Sequence, residues 1–138
     1  MPVAKPPVVV EPMSDADADA VLAIYAEGIA TGTATFETAV PDWRRWMATH
    51  RKEPRLVARD VEGQVIGWTA LSSWSGREVY AGVWTLIAGV QAENAASLAL
   101  HESVGFRRVG VHERIGRDAA RIWRDVVILE RRTAAAGR

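Results

Sequence analysis

Three polar side chains at helical spacing form the pattern in this sequence that is best suited to chemistry: Asn94, Ser97 and His101. At about 100° per residue they fall within an arc of roughly 60° on one predicted helix. Imidazole gains and loses a proton near neutral pH, and amide and hydroxyl groups bind polar ligands. From the pattern alone two interpretations stay open. The stripe is either a solvated helix face with Asn94 as its cap, or a face directed at a ligand.

The helix that carries this stripe has clear start and stop signals. Asn94 is a good N-cap for a helix over Ala95–Val104, and Gly105 lies where a left-handed residue ends helices. Next to the polar stripe, Ala96, Leu100 and Val104 form an apolar face that we expect to pack against the rest of the protein.

The composition excludes several classes of function. The 138 residues carry 17 Lys and Arg against 17 Asp and Glu, so no net charge attracts nucleic acid or an anionic membrane. There is no cysteine, and the three histidines are far apart in sequence, which argues against a metal site. No apolar run approaches the roughly 20 residues needed to cross a bilayer. We therefore expect a cytoplasmic protein without metal.

The order of elements indicates a mixed α/β (α+β) fold, with a mainly antiparallel sheet flanked by helices. We expect one domain over residues 1–138, with a disordered tail over about 133–138. A hairpin is predicted around Gly63, and a last pair of strands around "IGRDA". The remaining predicted elements are a strand at Val8–Glu11, helices at Asp15–Gly28 and Trp43–Lys52, and an uninterrupted strand-like run at Val79–Val90.

Four blocks of the chain, in order, carry a resemblance to a known superfamily. "AENAASLALHESVGFRRVG" resembles the C-terminal motif of the GCN5-related N-acetyltransferases (GNAT), Asn-x-x-Ser-x-x-[aromatic or His]-Glu-x-x-Gly-Phe. "AIYAEGIATGTATFET", "WSGREVY" and "GRDAARIWRDVVILER" are similar to segments of its phosphinothricin-acetyltransferase-like branch. The resemblance implies transfer of an acetyl group from acetyl-CoA to the primary amine of a small amino-acid-like molecule.

The resemblance also implies roles for individual residues. Asn94 and Ser97 match positions that contact the pantetheine or pyrophosphate part of acetyl-CoA, and His101 matches the general acid that protonates the departing thiolate. Five further residues match positions that shape the pocket for the acceptor amine. These are Phe36, Glu37, Trp74, Arg77 and Tyr80. For the three aromatic residues, ordinary packing is an equally good interpretation.

One segment of the family pattern is missing from this chain. In the family, most of a strand, a glycine-rich loop that binds the CoA pyrophosphate, and a helix precede the strand that "WTLIAGV" resembles. Here Val83 is followed directly by Trp84. We therefore expect an internally shortened acetyltransferase in which part of the cofactor slot is lost.

Three hypotheses follow from that shortening. The chain is an acetyltransferase by descent, a catalytically inactive homologue that acts as a binding or self-associating module, or an enzyme completed by a partner chain. Loss of a covering helix exposes apolar surface, which favours a homodimer.

Overall fold

The computed structural model describes residues 4–73 and 85–132. The described residues form two compact units: residues 4–27 with 39–73, and residues 28–38 with 85–132. The order of helices and strands is the predicted one, and all four strand pairings are antiparallel. Single-domain organisation stays a prediction. Trp74, Arg77, Tyr80, the Val83–Trp84 junction and the C-terminal tail lie outside the described residues.

The first unit has a three-stranded sheet in the order β1-β2-β3 and two helices. An aspartate at the hairpin between β2 and β3, Asp60, accepts the backbone N–H groups of Glu62 and Gln64, while Gly63 takes a positive φ of 79°. This confirms the predicted hairpin. The elements are β1 Val9–Pro12, α1 Ala18–Thr31, α2 Trp43–Thr49, β2 Arg55–Arg59 and β3 Val65–Ala70.

A buried carboxylate organises the start of α1. A single 3-10 turn, Asp15–Asp17, precedes the helix, and Asp17 accepts hydrogen bonds from both the backbone N–H and the hydroxyl of Ser14. Its other oxygen lies 2.6 Å from the Arg59 guanidinium, which also pairs with Glu11. The Ser14 N–H, and then Arg59, outweigh burial and hold the pKa of Asp17 below its usual range.

The core of the first unit is built around three fully buried side chains, Val21, Trp46 and Val57. Trp46 stacks on Trp43 and on His50, with ring centroids 4.8 and 4.1 Å apart. His50 also closes α2, since its Nδ1 lies 2.7 Å from the Trp46 carbonyl oxygen and its own backbone is extended. The helix therefore ends at Thr49, three residues before the predicted Lys52.

The second unit packs one helix on a three-stranded sheet in the order β4-β6-β5. Its core consists of Val90, Leu98, Val127 and Leu129, with Phe106 packed against them. The last turn of α1, from Gly28, and the segment that follows it belong to this unit. The elements are β4 Thr85–Gln91, α3 Ala95–Ser103, β5 Arg107–Arg117 and β6 Trp123–Arg132.

The predicted apolar face of α3 is wrong. Leu98 is the buried residue of the helix, whereas Ala96, Leu100 and Val104 are exposed, with Leu100 at 62% and Val104 at 47%. Leu98 lies within about 40° of Asn94 around the helix axis, so the side that meets the sheet is the side of the polar stripe. The stripe is half-buried as a result.

The turn between β5 and β6 lies later than predicted. β5 continues through "IG" to Arg117, and the chain reverses over residues 118–122. Asp118 accepts from the backbone N–H of Ile122 at 2.9 Å and from Arg124 at 2.8 Å. These donors, the backbone N–H first, hold the pKa of Asp118 below its usual range.

Candidate functional site

The polar stripe of α3 is a connected set of hydrogen bonds. The Asn94 side chain accepts from the Ser97 backbone N–H at 3.1 Å, so Asn94 is the predicted N-cap. Its Nδ2 donates to the carbonyl oxygen of Thr33 at 3.3 Å. Asn94 therefore joins the start of α3 to the segment that leads to Phe36.

His101 is held in one orientation by the turn before it. Its Nδ1 lies 2.7 Å from the carbonyl oxygen of Ser97 and 3.4 Å from the Ser97 hydroxyl. A carbonyl oxygen only accepts, so Nδ1 carries a hydrogen, and Nε2 is the ring nitrogen that takes no part in these two contacts. The ring also meets Phe106 edge-on, with centroids 5.1 Å apart. This is the arrangement that a positioned acid or base requires.

A groove of about 510 Å³ lies on the other face of the same sheet. Side chains alternate along each strand, so Val90 and Val127 face α3, while Gln91 and Val126 face the groove. The segment of residues 34–36 forms one wall. The strand residues that line the groove are Gly89, Gln91, His112, Ile115, Val126 and Ile128.

Phe36 is positioned by a glycine. The half-buried Phe36 ring lies directly on β5, and a Cβ at Gly116 would come within 2.6 Å of its Cε2 atom. Any side chain at position 116 would therefore displace Phe36 from the groove. Glu37 is exposed, its backbone N–H donates to the Thr35 hydroxyl, and it is not one of the residues that line the groove.

The structure brings together some of the predicted site residues. Asn94, Ser97 and His101 form one network, and Phe36 lines the groove on the opposite sheet face. The link between the two is the Asn94–Thr33 hydrogen bond at the end of β4. Among residues 4–73 and 85–132, no hydrogen bond or ring contact joins Phe36 to His101.

Sequence reasoning missed two polar residues of the groove, Gln91 and His112. Gln91 pairs with Val126, which pairs in turn with His112, so the three side chains form one row across the sheet. Strict alternation from Val90 was the signal that could have placed Gln91 on the groove face. His112 had no such signal, because β5 contains an irregularity between His112 and Gly116.

The described part of the chain has neither a membrane-spanning helix nor a cluster of metal-ligating side chains. Over those residues, no helix is both long enough and apolar enough to span a membrane. Nor do three or more His, Cys, Asp or Glu side chains there converge in a way that could hold a metal ion.

Comparison with known proteins finds relatives that are named as amino-acid acetyltransferases or acyltransferases. No protein-family model matches the chain. An L-methionine sulfoximine/L-methionine sulfone acetyltransferase of Pseudomonas aeruginosa is 27% identical over 153 residues, covering 83% of this chain and 88% of the relative. The L-amino acid N-acyltransferase MnaT of Escherichia coli is 30% identical over 112 residues, covering 80% of this chain and 62% of the relative.

Solved structures agree on the fold. A GNAT superfamily phosphinothricin acetyltransferase from Sinorhizobium meliloti, in complex with acetyl-CoA, superposes with a TM-score of 0.80 at 21% identity, covering 94% of this chain and 92% of that one. The fold is that of the GNAT acetyltransferases, the superfamily that the sequence motifs resemble. The names of the relatives and the phosphinothricin acetyltransferase structure support the phosphinothricin-acetyltransferase-like branch that the motifs resemble.

The comparison also bears on the length of the chain. The alignment with the Pseudomonas protein spans 153 residues, which exceeds the 138 residues available here. The relative therefore has residues at positions where this chain has none. That the gap falls between Val83 and Trp84 stays a prediction.

Proposed function

We propose that this protein is an N-acetyltransferase that transfers acetyl from acetyl-CoA to the primary amine of a small amino-acid-like molecule. The observation that carries the proposal is the fixed orientation of the His101 ring, whose Nδ1 lies 2.7 Å from the Ser97 carbonyl oxygen. The relatives named for acetylation of methionine sulfoximine and for N-acylation of amino acids support the substrate class. The lack of cysteine suits a cytoplasmic setting.

The described residues fit the acyl end of acetyl-CoA. When bound, acetyl-CoA supplies a thioester whose acetyl group passes to the amine with release of the CoA thiol. The Ser97 hydroxyl can donate to, or accept from, the amides of pantetheine. Protonated His101 keeps Nδ1–H on the Ser97 carbonyl and can deliver the proton at Nε2 to a departing thiolate.

The acceptor side of the site is assigned to the groove beside Phe36, on the sheet face opposite to His101. Because β4 is an edge strand of this sheet over the described residues, we propose that the acetyl group of bound acetyl-CoA would reach the acceptor amine past that edge, near the Asn94–Thr33 hydrogen bond. The walls of the groove are mainly apolar and its polar groups are few, which suits a small molecule with an apolar stem. We propose that the Phe36 ring contacts the apolar stem of the acceptor. Glu37, Trp74, Arg77 and Tyr80 stay predicted contacts of the acceptor on the strength of the resemblance.

The shortened chain affects affinity for the cofactor more than it affects the chemistry. The sequence contains no glycine-rich loop of the kind that binds the CoA pyrophosphate. Charge-assisted hydrogen bonds from such a loop contribute about 1.5–3 kcal/mol each, so their loss weakens binding by at least about tenfold. We expect turnover to need millimolar acetyl-CoA.

The test is acceptor-dependent release of CoA thiol. Purified protein is incubated with millimolar acetyl-CoA and L-methionine sulfoximine, and thiol and N-acetylated product are both measured. We expect equal amounts of each, above the rates without protein and without acceptor. No acceptor-dependent release would contradict the proposal and favour the non-catalytic binding module.

We also propose that the protein forms a homodimer. The support is the exposed apolar stripe of α3, formed by Ala96, Leu100 and Val104. A second copy of the chain would remove this stripe from water.

A further inference from the structure

The side chain of Gln91 has an unusual environment. Gln91 is 5% exposed, and among the described residues neither Nε2 nor Oε1 of its amide has a hydrogen-bond partner. Buried amides are nearly always paired, because an unpaired one loses its bonds to water without replacement. A buried amide without hydrogen-bond partners that lines a groove is a candidate group for binding a ligand.

The surroundings of Gln91 define what it could recognise. On the groove face its neighbours across and along the sheet are Val126, Ile128 and Gly89, none of which has a polar side chain. A Cβ at Gly89 would lie 3.2 Å from Cγ1 of Val126, so glycine keeps the floor open next to the amide. The nearest imidazole in the row, that of His112, is two strands away, roughly 10 Å.

We propose that Gln91 binds the head group of the acceptor's side chain, and that this head group offers a hydrogen-bond acceptor beside a donor on an apolar stem. The inference rests on the proposed function, because that proposal assigns the acceptor to the groove. A carboxamide has this pair, since the Gln91 Nε2 donates and its Oε1 accepts. So does a sulfoximine, whose S=O accepts and whose S=NH donates.

Three amino acids that differ only in their head groups test the two proposed hydrogen bonds of Gln91 one at a time. L-Methionine sulfoximine offers an acceptor and a donor, L-methionine sulfone offers acceptors only, and L-methionine has a thioether in the same place. If Gln91 recognises the head group, affinity falls in that order, by about tenfold from the sulfoximine to methionine. The apolar stem, common to all three, makes the same contacts throughout.

The experiment follows the side-chain amides by nuclear magnetic resonance. The chain has only three such groups, those of Gln64, Gln91 and Asn94, so ¹⁵N-labelled protein gives three NH₂ pairs. The pair lost in Gln91→Leu belongs to Gln91, and the pair lost in Gln64→Leu is the control, because Gln64 is exposed. We expect the sulfoximine to shift the Gln91 pair strongly, and methionine to shift it little.

Binding constants from the same titrations complete the test. In Gln91→Leu the three ligands should bind with nearly equal affinity, whereas Gln64→Leu should keep the wild-type order. We also expect Gln91→Leu to melt above wild type without ligand, since the unpaired amide is gone. Equal affinities in the wild type, no binding of any ligand, or an unchanged order in Gln91→Leu would overturn the proposal. If Gln91→Leu does not fold, Gln91→Met replaces it.

The titrations contain no acetyl-CoA, which separates this inference from the proposed function. Ordered binding without turnover would leave the role of Gln91 standing and contradict the acetyltransferase activity. Turnover combined with equal affinities for the three ligands would support the acetyltransferase activity and contradict the role of Gln91.

Discussion

At the scale of single residues, Asn94, Ser97 and His101 of the α3 stripe have separate hydrogen-bonding roles. Asn94 uses both of its amide atoms within the protein, one on the Ser97 N–H and one on the Thr33 carbonyl. Ser97 offers its carbonyl to His101 and keeps a hydroxyl 3.4 Å from the same nitrogen. Since the carbonyl remains in any variant at position 97, orientation of the imidazole does not depend on the serine side chain.

These separate roles predict that a variant at His101 changes kcat, whereas a variant at Ser97 changes the KM for acetyl-CoA. His101→Ala should lower kcat by about 100-fold with little change in the KM for acetyl-CoA, because it removes the proton donor. Ser97→Ala should raise that KM by about fivefold with kcat nearly unchanged. Steady-state kinetics of thiol release measure both, with Ser103→Ala as the control since Ser103 is an exposed serine of the same helix. Equal losses of kcat in the two variants would contradict the assignment.

At the scale of elements, the start of α1 depends on one ionised carboxylate. Asp17 joins the 3-10 turn to β2 through Arg59, and Arg59 joins β1 through Glu11. The folded-state pKa of Asp17 lies below its unfolded value of about 3.9. Its contribution to stability is therefore present above that pH, and is lost as the pH falls through the lower, folded-state pKa.

Asp17→Asn should consequently destabilise the protein in a pH-dependent way. At pH 7 we expect a loss of about 2 kcal/mol, because charge-assisted hydrogen bonds to a buried carboxylate are broken. The loss should shrink as the wild-type carboxylate protonates below about pH 4. Urea unfolding at neutral and acidic pH measures it, and Asp19→Asn, at an exposed aspartate two residues on, should change little. A loss of the same size at both pH values would contradict the linkage.

At the scale of the whole molecule, each compact unit has a core of its own, and α3 has apolar surface outside the core of its own unit. Val21, Trp46 and Val57 are buried in one unit, and Leu98 and Leu129 in the other. The helix has its polar stripe toward the sheet and its apolar stripe outward, the reverse of an ordinary surface helix. Exposed apolar stripes of this kind occur at protein–protein interfaces.

We expect this stripe to drive self-association. The sedimentation coefficient of the wild type should rise with concentration, and Leu100→Lys should abolish the rise, since a lysine near the helix C-terminus is tolerated in the monomer. Ala99→Lys is the matched control, because Ala99 is exposed one residue earlier. A concentration-independent wild type, or an unaffected Leu100→Lys, would argue against the homodimer.

Local signals in the sequence determined much of the fold. The order of elements, the Asn94 cap and the Gly63 and Gly105 turns all depend on neighbours within a few residues, and all are present. The four motif blocks, read along the chain, also resembled the GNAT superfamily, whose fold the structure has. The resemblance supplied Phe36 as a residue of the acceptor pocket. Phe36 lines a groove, and its role toward the acceptor stays a prediction.

Only the tertiary structure decided which faces are buried. Helical periodicity gave α3 two stripes of different polarity but not the direction of the sheet, so the apolar stripe was wrongly expected to pack inside. The groove depends on strand register, which places Gln91 and His112 on either side of Val126 although the chain separates them by 21 positions. The physical reason is that periodicity is a property of one element, whereas burial depends on which second element packs against it.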